Sequence, residues 1–153
     1  MSGHLKVLDM QHNYLSGTLS TTFSIASVLR SFNLHDNELE GKIFISFANC
    51  KELQVLNLEY NHLIDIFPIW LEILPMLQAL NLRSNSLHGL IRSLKNENML
   101  PKHRIMDLSC NAFSKNLPMS LFQCLKAMKV IDRAMKSPSC DADIQRRSYT
   151  TFR

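Results

Sequence analysis

With 153 residues, 46% of them apolar and 20% charged, the chain is long enough for one packed domain and too apolar to be intrinsically disordered. Its formal charge of +4 is confined to the tail: residues 1–125 hold ten Lys/Arg against ten Asp/Glu, and residues 126–153 hold seven against three. Those basic residues are scattered and have only Tyr149 and Phe152 among them, so no nucleic-acid partner is expected. The N-terminal MSGHLKVLDMQHN enters a repeat at once and does not read as a signal peptide. The most apolar stretch, Ile64 to Leu82, is interrupted by Asp65, Pro68, Glu72 and Pro75, which excludes a membrane span there.

From the N-terminus one pattern recurs. The first turn carries Leu5, Leu8, Met10, Asn13 and Leu15, and the second Leu29, Phe32, Leu34, Asn37 and Leu39. The third has Leu53, Leu56, Leu58, Asn61 and Leu63, and the fourth Leu77, Leu80, Leu82, Asn85 and Leu87. The fifth has His103, Met106, Leu108, Asn111 and Phe113. Successive Asn residues are 24, 24, 24 and 26 apart, and His103 is the single polar member among the flanking positions. Such a period marks a solenoid, in which no turn can bury its apolar face alone.

The LxL part of each turn alternates as a strand with one buried face. Parallel stacking at about 4.8 Å then gives a sheet whose five strands span about 20 Å. The fold expected is an α/β solenoid, a right-handed superhelix of about five 24-residue repeats with a short parallel sheet on the concave face. The solenoid covers 1–118, with repeats starting near 5, 29, 53, 77 and 103. Residues 119–128, with apolar side chains at helical spacing, read as a short helix, and 129–153 as a mobile tail.

An amide carries both donors and an acceptor. Asn13, Asn37, Asn61, Asn85 and Asn111 are therefore expected as a structural ladder that satisfies backbone groups where the chain leaves each strand. Gly17, Gly41 and Gly89 recur in the second half of their turns, at tight bends or close contacts; the third turn has Asp65 and the fifth Lys115 there. Pro68 and Pro118 follow, where no backbone donor is needed.

Three outward columns accompany the leucines. Asp9, Asn33, Asn57, Asn81 and Asp107 are uniform and read as structural. The second column is Gln11, His35, Glu59, Arg83 and Ser109; the third is His12, Asp36, Tyr60, Ser84 and Cys110. These two vary in charge, size and aromaticity, as a recognition surface does. Gln11, His12, His35, Asp36, Glu59, Tyr60, Arg83 and Ser84 are the candidate partner-binding residues, with Tyr60 and Arg83 the strongest anchors by residue type. His12 and His35 fall on adjacent strands; a metal would need Asp36 as third ligand, and none is expected.

The four cysteines, Cys50, Cys110, Cys124 and Cys140, show no CxxC and so no zinc site. Cys50 and Cys124 read as small buried apolar residues, and Cys124 with Cys140 could close a local loop. Trp70 reads as packing on the convex side. There is no phosphate-binding glycine loop, kinase motif or GxSxG, so no catalytic residue and no cofactor is assigned.

The LxGxIP-like second halves resemble the plant-specific class of leucine-rich repeats. Ser46–Gly89, with its NC before the strand, FPIWL and LRSN, resembles the lower repeats of plant receptor-like proteins of the Cf type. Ile105–Pro118 and Leu121–Asp132 resemble the same family just before its non-repeat island. The resemblance implies an ectodomain fragment of a cell-surface receptor in defence or developmental signalling, without a kinase of its own. Its parent would lie at the plasma membrane, facing outward, with an extracellular peptide or protein ligand and a co-receptor kinase as partners. A receptor-kinase ectodomain fragment and a soluble inhibitor of a microbial enzyme are the alternatives. No Asn-x-Ser/Thr sequon occurs, so no glycosylation of this segment is expected.

Overall fold

A three-residue strand is too short to persist alone, and here each is held by the turns beside it. The computed structural model describes residues 4–19, 28–91, 102, 104–114 and 116–117. In chain order the strands are β1 (Val7–Asp9), β2 (Ser16–Thr18), β3 (Ser31–Asn33), β4 (Glu38–Gly41) and β5 (Val55–Asn57). Then follow β6 (His62–Leu63), β7 (Ala79–Asn81), β8 (His88–Leu90), β9 (Ile105–Asp107) and β10 (Ala112–Ser114).

The odd-numbered strands form one parallel sheet in the order β1-β3-β5-β7-β9. Leu8 pairs with Phe32, Phe32 with Leu56, Leu56 with Leu80 and Leu80 with Met106, so the 24-residue period and its one 26-residue step are the register itself. In every one of these strands the middle residue is the most buried, or shares that place, and its neighbours face out. A one-residue slip would turn the whole leucine row to solvent.

The even-numbered strands make a second, discontinuous layer on the flank: β2-β4-β6 and β8-β10. Gly17, Gly41 and Gly89 lie there at φ of +82, +79 and +79, a region costly for any residue with a Cβ. At Gly41 a Cβ would also meet Thr18 Cγ2 at 2.9 Å. Where Asp65 replaces glycine, one carboxylate oxygen accepts from the Ile43 N–H at 3.1 Å and the other from the Ile66 N–H at 2.8 Å. The layer breaks at this turn, and a single bridge, Ile66 to His88, crosses it.

On the far side the described turns run through two short 3-10 helices, Ile45–Asn49 and Ile69–Ile73. Between them and the long sheet lies one core of Leu29, Leu53, Leu56, Leu58, Leu80 and their equivalents. Phe47 packs edge-to-face on Phe32, with centroids 4.9 Å apart, and stacks on Trp70 at 6.0 Å. In the first turn Leu5, Met10 and Leu15 each remain 37% exposed.

Cys50 is buried and outside any disulfide, and Cys110 is disulfide-bonded. Cys124 and Cys140, read from the sequence as a possible local loop closure, lie outside the described residues. The segments expected as a helix (119–128) and a tail (129–153) lie outside the described residues, as do Lys115 and Pro118. Among the described residues no helix is long and apolar enough to cross a membrane.

Candidate recognition face

The chain leaves each long-sheet strand by the same manoeuvre. Asp9, Asn33, Asn57, Asn81 and Asp107 each accept, through a side-chain oxygen, the N–H two residues on, at 2.9–3.2 Å. That is an Asx turn repeated five times. Three residues further, His12, Asp36, Tyr60, Ser84 and Cys110 all adopt left-handed backbone, with φ between 51 and 56. Only Asp and His among these types visit that region with much ease. The strain is offset by a retained lateral bond: the N–H of each of the first four donates to the next turn at 2.9–3.1 Å.

The asparagine that follows closes the turn. Asn37, Asn61, Asn85 and Asn111 each donate from Nδ2 to two carbonyls of their own turn and one of the preceding turn, at 2.9–3.2 Å. Their Oδ1 atoms accept from Leu15, Leu39, Leu63 and Leu87 N–H. Asn13 donates only within its own turn and is exposed.

This backbone sets eight candidate side chains in two rows. Gln11 accepts from Asn33 Nδ2 at 3.0 Å. His12 Nδ1 lies 2.9 Å from Asp36 Oδ2, and both are well exposed. The rings of His12, His35 and Tyr60 run edge-to-face at 4.9 and 5.4 Å. His35 Nδ1 is buried, with no hydrogen-bond partner, 3.5 Å from Glu59 Oε2. Glu59 accepts from Asn81 at 2.6 Å and approaches Arg83 at 3.7 Å.

Arg83 sits lower on the face than its column neighbours. Its side chain is only 8% exposed; it donates to Ser109 Oγ at 2.9 Å and lies 3.9 Å from Asp107. Acidic groups on both flanking turns draw the guanidinium down onto the sheet, so Arg83 braces the face. Ser84 is half-buried, and Tyr60 is the larger of the remaining accessible members. Among the described residues no group of three or more His, Cys, Asp and Glu is placed to hold a metal.

Burial pushes the Glu59 carboxyl above its ordinary 4.5; His35, Asn81 and Arg83 pull it back, and Asp107 adds to the rise. A raised folded value means this group favours the folded state below about 4.5, and that contribution is lost as pH rises through the folded value. Glu59→Gln removes the charge. Its melting midpoint relative to the parent chain is expected to climb between pH 4 and pH 7; a falling difference would mean that the His35 and Arg83 attractions dominate.

Sequence reasoning passed over a fourth outward column: Val7, Ser31, Val55, Ala79 and Ile105, at the first position of each long-sheet strand. Val7 is 59% and Ile105 61% exposed. The signal was present, since outward positions recur two apart in a strand, but aliphatic residues beside leucines look like core. A second concavity, on the flank, is lined by Ile45, Ile66, Ile69, Trp70 and Leu90 around Asp65, whose oxygens are already engaged.

Two models described as leucine-rich repeats match the chain, one over residues 45–87 and the other over 4–24 and 28–50. Receptor-like protein 9DC3 of Solanum pimpinellifolium is 54% identical over 140 residues, 92% of this chain, and Receptor-like protein Cf-9 of the same species is 51% identical over the same share. The chain spans 16% of the length of each. Among solved structures it is similar to PEPR1 with AtPEP1, with a TM-score of 0.73 and 26% identity over 80% of this chain and 17% of that one. It is also similar to the Arabidopsis receptor kinase HAESA ectodomain with an extended IDA peptide hormone, with a TM-score of 0.68 and 28% identity over 83% of this chain and 21% of that one.

Proposed function

Because the chain belongs to the leucine-rich-repeat family and matches a segment of plant receptor-like proteins, we propose that it is a ligand-recognition segment of a plant cell-surface receptor of the Cf-9 type. The observation that carries this reading is the contrast across one sheet. Its inner side is an unbroken apolar row from Leu8 to Met106, while its outer side presents Gln11, His12, His35, Asp36, Glu59 and Tyr60, chemically different turn by turn on a common backbone. A fixed scaffold under a varied surface suits binding of a peptide or protein, and no side chain here is set for chemistry.

The parent receptor would hold this face outside the plasma membrane and act in defence, passing its signal to a partner kinase. HAESA, similar in fold, is known with a peptide hormone and the co-receptor SERK1, which supports a peptide ligand and a co-receptor here by family likeness. Five strands span only about 20 Å, small for a tight interface, so the segment contributes part of a longer surface.

Selection from a random peptide display library on the purified chain tests this. The expected binders lose at least tenfold in affinity with Tyr60→Ala or with His12→Ala, and none with Ile69→Ala on the convex side. Binders that lose affinity only with Ile69→Ala, or no specific binder at all, would sink the reading.

A further inference from the structure

The fourth outward column differs in kind from the others. Apart from His35, which only approaches Glu59, side chains of the Asx column and the Gln11-to-Ser109 column are hydrogen-bonded to one another or to backbone, whereas among the described residues Val7, Ser31, Val55, Ala79 and Ile105 make no side-chain hydrogen bond. They alternate in size along the sheet. Val7, Val55 and Ile105 stand up as ridges, 59%, 36% and 61% exposed, and the small Ser31 and Ala79 lie half-buried between them. The lane therefore has two sockets separated by two strand spacings, about 9.6 Å.

That separation selects a backbone. A polyproline II helix rises about 3.1 Å per residue with three residues per turn, so it repeats a side chain on one face about every 9.3 Å. An extended β-strand repeats about every 6.7 Å and misses the second socket. An α-helix, about 10–12 Å across, is wider than a lane one side chain broad.

Two further features flank the lane. Lys6, Arg30 and Arg104 occupy the strand-start rim, all exposed; Arg30 is paired with Glu52, and among the described residues Lys6 and Arg104 have no carboxylate partner. On the other side Asn33 and Asn81 donate their amides to Asp9, Gln11 and Glu59. The central Asn57 uses its oxygen, but its Nδ2 donates to no protein group among the described residues. A polyproline II backbone has no internal hydrogen bonds, so its carbonyls are available to such a donor.

We propose that this lane seats a peptide in the polyproline II conformation, with an aliphatic side chain at every third position entering the Ser31 and Ala79 sockets and acidic groups toward the Lys6 and Arg104 rim. The proposal rests on the recognition reading above and specifies its ligand. A preformed polyproline II segment loses little entropy on binding, which suits a short face.

The test is fluorescence anisotropy on the full 153-residue chain with a labelled synthetic probe of about nine residues. The probe has leucine at every third position, proline between, and one glutamate at each end. A second probe of the same composition places leucine at every second position. The first is expected to bind at least tenfold more tightly, and Ala79→Leu, which fills a socket at an outward position, is expected to weaken it tenfold. Circular dichroism melting checks that variant's fold. Should Ala79→Leu unfold, the two probes still decide between spacings with no substitution at all. Equal affinity of the two probes, or no saturable binding of the first below about 1 mM, overturns the proposal. If library-selected peptides still depend on Tyr60 in that case, the recognition reading stands and only the polyproline II ligand falls.

Discussion

Replacing Asn61 with alanine is expected to destabilise the chain by about 2–4 kcal/mol, although no apolar contact is lost. Asn61 is 1% exposed. Its Nδ2 serves the carbonyls of Leu34, Leu58 and Glu59 at 2.9–3.1 Å, and its Oδ1 takes the N–H of Leu39 at 3.1 Å. Alanine leaves those backbone groups in a place water reaches poorly, and each buried orphan costs about 1–3 kcal/mol. Two amide hydrogens and one oxygen set the upper bound, and partial relaxation lowers it. For a chain of this length the melting midpoint should fall on the order of 10 °C. Asn61→Asp should be at least as damaging, because a carboxylate would face three carbonyls. Asn13→Ala is the internal contrast: that residue is exposed and bonds only Met10 and Gln11 carbonyls in its own turn, so under about 1 kcal/mol is expected. Equal losses for Asn13→Ala and Asn61→Ala in urea unfolding would refute the idea that the bonds between turns matter.

The difference between those two asparagines shows where sequence stops being informative. The period alone places Phe32 between Leu8 and Leu56, because a 24-residue repeat of alternating leucines admits one parallel register. It also fixes which residues share an outward column. It does not fix how far each one reaches solvent. Arg83 and Gln11 hold the same place in their turns, yet Arg83 is buried because Glu59 and Asp107 happen to flank it, a fact of neighbouring turns. The left-handed backbone at His12, Asp36, Tyr60, Ser84 and Cys110 was equally hidden. No glycine marks it, because the cost is met by lateral hydrogen bonds absent from any single turn. Val7, Val55 and Ile105 were overlooked for the opposite reason: aliphatic residues next to leucines carry no polar mark of being outside.

The glycine column shows a related limit. Gly17, Gly41 and Gly89 announce a constrained backbone, and all three have φ near +80. Asp65 at the equivalent place announces nothing, yet its carboxylate bonds two backbone N–H groups where the flank layer breaks. The convex side shows it too. The sequence placed Trp70 in packing on that side, but not how the chain runs there: Phe47 and Leu71 are buried in five-residue segments that close as 3-10 helices, being too short for regular α-helix to gain much.

Phe47→Ala tests the other half of the stability, the packing between the faces. Phe47 is 0% exposed and touches both sides of a turn: Phe32 under the long sheet at 4.9 Å and Trp70 of the next turn at 6.0 Å. Truncation forfeits the transfer energy of a ring and leaves a cavity that this interlocked site cannot close, so about 3–5 kcal/mol is expected. Phe47→Leu keeps most of the volume and should cost clearly less. Ile45→Ala, two residues away but 72% exposed, should stay within about 0.5 kcal/mol. Trp70 is the single tryptophan, so its emission reports the same event directly; it should shift to longer wavelength in Phe47→Ala before global unfolding. Phe32 lies between the outward Ser31 and Asn33 in β3, so a loosened Phe32 should also blur the Ser31 socket. The proline-rich probe should therefore bind more weakly to Phe47→Ala than to Ile45→Ala at a temperature where both are folded. A Phe47→Ala chain as stable as Ile45→Ala, with unchanged Trp70 emission, would show that this aromatic cluster does not join the turns.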